Sequence, residues 1–128
     1  MRALILLGAT LALPCAAQPV SVAPWMTGER FLELAKWPPG AKDNFDLTPA
    51  QYRDQQMAKM YIHGVHDTSE GKAWCYSVKN RPKPDVLEDD VISGLQQLPP
   101  AQLKRNAADL FIEIWRRRWP CTPGAGHE

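Results

Sequence analysis

The residues with most chemical potential are His63 and His66, three apart in His63-Gly64-Val65-His66-Asp67, with Glu70 just beyond. On a helix, that spacing lets two imidazoles share a metal ion, with Asp67 or Glu70 supplying a carboxylate. It is not the zinc-protease pattern, where the histidines stand four apart around a glutamate. The competing and preferred reading puts both rings on the polar edge near a helix C-terminus, where positive charge is favoured. A second candidate is Arg116-Arg117-Arg118 between Trp115 and Trp119. Cations interleaved with aromatics can bind nucleic acid. Here they read instead as a solvated helix end with its tryptophans in the core, or as an edge that grips a protein. A nucleophile is hard to find, because none of Ser21, Ser69, Ser77 and Ser93 lies in a Gly-x-Ser-x-Gly setting. Glu88, Asp89 and Asp90 crowd what reads as a first helical turn, where the dipole draws negative charge. No glycine-rich phosphate loop is present. The expectation is a binding protein with no catalytic residue, no metal site and no cofactor.

The histidines are carried by a long helix over residues 48–68. Thr48 caps it, Pro49 suits its first position, and Gln51 completes a capping box, with Leu47 before it as a staple. Ala58, Tyr61, Ile62 and Val65 share one face, flanked by Tyr52, Met57, Met60 and Gly64. So apolar a helix is expected to be covered on more than one side and to act as the central rod, with Gly64 permitting close helix approach.

The other elements follow from the same periodicity. Thr27 precedes a short helix over 28–36, with Phe31, Leu34 and Ala35 on one face, and Trp37-Pro38-Pro39-Gly40 ends it. Phe45 and Leu47 are expected to pack on the start of the long helix. Residues 73–78 are rich in β-formers and read as extended. Asp85, with Glu88 three residues on, opens a third helix through Leu87, Val91, Leu95 and Leu98, weakened at Ser93-Gly94. A fourth carries Leu103, Ala107, Leu110 and Ile114, with Phe111 and Trp115 beside them, and stops at Pro120. The fold class expected is all-α, a compact bundle of about four helices.

The 128 residues suggest one domain. Arg2, the apolar run over 3–13, and Cys15-Ala16-Ala17 form a secretory signal peptide cleaved near Ala17. The run is too short for stable insertion in a membrane. A lipidated Cys15 is disfavoured by Pro14, since a small residue is usual before such a cysteine. The layout is then 1–17 signal peptide, 18–24 flexible leader, 25–121 helical domain and 122–128 disordered tail. Losing Arg2 turns 15 basic residues into 14, against 14 acidic ones, so no overall field draws the chain to nucleic acid. Losing Cys15 leaves Cys75 and Cys121, an even pair in an exported chain, read as a disulfide. Free thiols or a zinc site are the alternatives, the latter poor without a nearby histidine pair at ligand spacing.

Several motifs, in order, resemble the Rap/Tai family of type VI secretion immunity proteins. Met26-Thr27-Gly28-Glu29-Arg30-Phe31-Leu32 looks like that family's opening helix. Ala58-Lys59-Met60-Tyr61-Ile62-His63-Gly64-Val65 looks like its central helix, with a Tyr-Ile-x-Gly-Val core. Trp74-Cys75 and the closing Trp119-Pro120-Cys121 resemble its aromatic-Cys and aromatic-Pro-Cys signatures. The resemblance spans about 26–121. One departure is that a second cysteine pair, common in the family, is replaced by Ala35 and Ala58. The resemblance implies a periplasmic protein, a possible homodimer, that covers the active site of a cell-wall amidase effector. The turn over 68–74, beside the disulfide, is the expected contact, with Glu70, Lys72 and Trp74 as partner-binding residues. The alternative reading of Trp74 is a core residue beside Cys75. The competing function is a small periplasmic chaperone or stress protein with broad partner range.

Overall fold

The computed structural model describes residues 22–76 and 81–122. The expected signal peptide, most of the leader and all but the first residue of the expected tail lie outside the described residues. Among the described residues there are five α-helices, α1 (Gly28–Leu34), α2 (Pro49–Ser69), α3 (Pro84–Gln96), α4 (Pro100–Leu103) and α5 (Ala107–Arg118), with a 3-10 turn at Asn44–Asp46 between α1 and α2. No strand appears among the described residues, and the expected all-α bundle with one disulfide is what forms.

Local capping sets most of the boundaries. Thr27 Oγ1 accepts from the Arg30 N–H at 3.1 Å and starts α1. Thr48 and Gln51 form the expected reciprocal box, and Pro49 occupies the first turn of α2. The expected fourth helix is split in two. Asn106 breaks from helical geometry so that its side chain can accept from the Ala108 N–H at 2.9 Å, which separates α4 from α5. The third helix begins one residue earlier than expected, at Pro84, with Lys83 as its cap and no capping side chain. Glu88 and Asp90 therefore lie past the first turn. They hold Lys59 and Arg118 across the surface instead of serving the dipole.

The rod at the centre is α5, not α2. Ala107, Leu110, Phe111 and Trp115 are all buried, and α5 touches α1, α2 and α3. Helix α2 buries one side only, through Ala58, Ile62, Val65 and Ser69. Its flank is open, with Met57 46% and Met60 65% exposed. Phe45, expected to pack on α2, is 98% exposed. Close approach occurs at glycines other than Gly64, which meets nothing within 4 Å. At Gly28 a Cβ would come within 2.8 Å of Leu110 Cδ1, and at Gly94 within 2.8 Å of Ile114 Cδ1. Gly94 is thus the notch through which α5 crosses α3. Backbone bonds from Gly28 N–H to Arg105 O and from Ala107 N–H to Met26 O tie the start of α1 to the start of α5.

Aromatic rings fill the interior along α5. Phe31 meets Phe111 edge-on at 4.7 Å, and Tyr61 meets Phe111 at 5.7 Å. Each fully buried Phe or Leu contributes roughly 1.5–3 kcal/mol. Burial pushes the Tyr61 phenol above its ordinary range. On the surface, Arg105 holds the Glu113 carboxyl below its ordinary range through their hydrogen-bonded ion pair.

Candidate partner-binding site

The segment 68–74 is a tight turn held from several directions. Ser69 Oγ donates to Val65 O at 2.6 Å and accepts from Trp74 Nε1 at 2.9 Å. Gly71, at φ 73°, lets the chain reverse, and its N–H donates to Trp74 O at 2.8 Å. Positive φ is the conformation that glycine reaches without a Cβ penalty. The next residue is covalently anchored: Cys75 is bonded to Cys121, and its N–H donates to Trp119 O at 2.9 Å. Residues 73–76, expected to be extended, close the turn and run on as a pinned loop without a strand, and 77–78 lie outside the described residues.

The three expected contact residues separate. Trp74 is 0% exposed, packed on Trp115 at 5.0 Å and Trp119 at 5.9 Å. It supports the turn from inside and cannot touch a partner while it stays there. Lys72 is exposed, with its Nζ donating to Thr68 O at 3.1 Å, which meets one of the open carbonyls at the end of α2. Glu70 is half-buried at the helix end.

The two histidines sit beside this turn but face different partners. The His66 ring lies 5.5 Å from Trp74, 6.5 Å from Tyr76 and 6.4 Å from Trp115, and its Nδ1 is 2.9 Å from Asp67 Oδ1. His63 Nε2 faces Glu88 Oε1 at 3.4 Å. Both of those atoms are shut off from solvent without a hydrogen bond, and Glu88 Oε1 also lies 3.4 Å from Lys59 Nζ. Among the described residues no three His, Cys, Asp or Glu side chains converge as a metal cage would require.

Between α2 and the start of α3 runs an open groove of about 440 Å³, with Ile62 and Leu87 in its floor and His66, Arg81 and Lys83 along its edge. Arg81-Pro82-Lys83-Pro84 carries no helical periodicity to mark it in the sequence. The alternation is the available signal: prolines fix the backbone and so hold Arg81 and Lys83 in place. The arginine run resolves into surface roles. Arg118 pairs with Asp90 and lies 4.6 Å over the Trp119 ring.

This geometry offers a rigid turn and a groove for gripping another protein. No helix among the described residues is long and apolar enough to cross a membrane. The profile of a family described as Rap1a immunity proteins matches residues 27–121, more than half of the chain. No curated protein matches it.

Proposed function

Since the chain belongs to the Rap1a immunity proteins, we propose that it acts in the periplasm by binding and inhibiting a peptidoglycan amidase delivered by a type VI secretion system. The observation that carries this reading is the turn at 68–74, closed by Trp74 beneath it and by the Cys75–Cys121 bond behind it. An inhibitor needs a surface that is already ordered, because ordering a loop on binding subtracts from affinity. Lys72 and Glu70 are the side chains this turn presents, and Trp74 contributes by keeping it in shape. The domain is 25–121, preceded by a signal peptide removed near Ala17. Pairing of two copies belongs to the same proposal.

The test is co-expression with a type VI peptidoglycan hydrolase, chosen where a gene neighbouring this chain's encodes a small exported one. The expected result is co-purification at a fixed ratio and loss of the hydrolase's cleavage of peptidoglycan peptides. Equal suppression of aggregation among unrelated unfolded proteins, without a stable complex, would favour the chaperone reading instead.

A further inference from the structure

The groove along the second half of α2 has a charge balance that the neighbouring turn lacks. The one carboxylate in its lining, Asp67, is turned to its neighbour His66, with Oδ1 2.9 Å from the ring Nδ1, and Glu88 just outside the groove faces Lys59 and His63. At the groove's rim, neither Arg81 nor Lys83 has a carboxylate partner among the described residues. Both are exposed. Arg81 rests 5.8 Å over the Tyr76 ring, and Pro82 and Pro84 stiffen the backbone between and after the two cations. Lys83 caps α3, so the helix's own positive end adds to its field instead of cancelling it. Asp85 spends an oxygen on the Val86 N–H. Behind the rim the surface is apolar at Ile62 and Leu87, and His66 is held by three aromatic rings.

We infer that this groove receives an acidic segment of the effector, with a carboxylate against Arg81 and Lys83 and an adjacent apolar side chain against Ile62 and Leu87. The inference rests on the immunity reading above and adds the place and chemistry of the grip. Apolar walls alone would accept many surfaces. Two uncommitted cations at the rim select an acidic one, speed its approach and set its register. Because the groove wall is already ordered by aromatic packing, little entropy is lost when it fills.

The experiment is calorimetric titration of the full chain with the same hydrolase as in the co-expression test, at low and at physiological salt. Arg81→Glu with Lys83→Glu is expected to weaken binding by about ten-fold or more and to flatten its salt dependence, at an unchanged melting temperature. The milder pair Arg81→Gln with Lys83→Gln should shift affinity the same way by less. Wild-type affinity in both variants overturns the inference and leaves the immunity reading standing. Failure of the wild-type chain to bind that hydrolase removes the reading and the inference together. A changed sedimentation mass of the chain alone, with unaltered affinity for the hydrolase, assigns the groove to a second copy and also overturns it.

Discussion

The two ends of α2 are held by different means. At its C-terminal end the chain is bonded covalently through Cys75 and Cys121, and Trp74, Trp115 and Trp119 pack around the closure. In its first half, Ala35 and Ala58 border a cavity of about 170 Å³, and beside the packing of Phe31 and Tyr61 the polar link is one side-chain amide. Gln55 Nε2 donates to Ala35 O at 3.0 Å and to Lys36 O at 2.8 Å. These alanines, read from the sequence as standing in for a second cysteine pair, are brought to one cavity. The contrast teaches where order is concentrated in this bundle: the end that carries the turn and the groove is pinned covalently, and the other is held by packing and by hydrogen bonds that water can replace.

The strongest way to break this comparison is Trp74→Ala. It should cost about 3–5 kcal/mol by emptying the core beneath the turn and stranding its hydrogen bond to Ser69. Urea unfolding measures this, and a loss well under 1 kcal/mol would mean the pinned end is not pinned by packing. Cys75→Ser should cost about 2–5 kcal/mol, with an equal fall when the wild-type protein is reduced. An unchanged melting temperature under reducing conditions would count against the bond's role. Gly94→Ala should cost about 1–3 kcal/mol, because its Cβ would strike Ile114. Gly64→Ala should be neutral or stabilising by up to about 1 kcal/mol, since its position is open and alanine is the better helix former. Reversal of that pair would exchange the buried and open sides assigned to α2 and α3. Gln55→Ala should cost about 1 kcal/mol. It should raise hydrogen exchange over 35–58 more than over 68–76, and the opposite pattern would invert the comparison.

Much of this bundle was legible in residue order. Thr48, Pro49 and Gln51 announce the start of α2, and Cys75 and Cys121, the two cysteines beyond the expected signal peptide, announce the latch, because caps and cross-links are local or countable. What escaped was relative placement. Met57 and Met60 have the same apolar character as Ile62, and spacing alone does not say which faces a neighbour. Gly64 and Gly94 look alike in sequence, yet only the crossing of α5 makes one of them necessary. Asn106 breaks a pattern that Leu103, Ala107 and Leu110 continue without interruption, because its side chain competes with the helix for a backbone N–H. The candidate site was half visible: the turn at 68–74 was marked by its glycine and the nearby cysteine. The groove depends on bringing 62–67 against 81–87, which no local pattern encodes.

The knot between Gly28 and Arg105 and between Ala107 and Met26 fixes the point at which anything upstream leaves the fold. That point lies at the first turn of α5, whereas the covalent clasp lies past its last. Twelve residues separate them, about 18 Å at helical rise. A fusion, a surface tether or a fluorophore placed ahead of residue 26 would therefore hang from the far pole, and the protein can be held by that handle while its working end stays free.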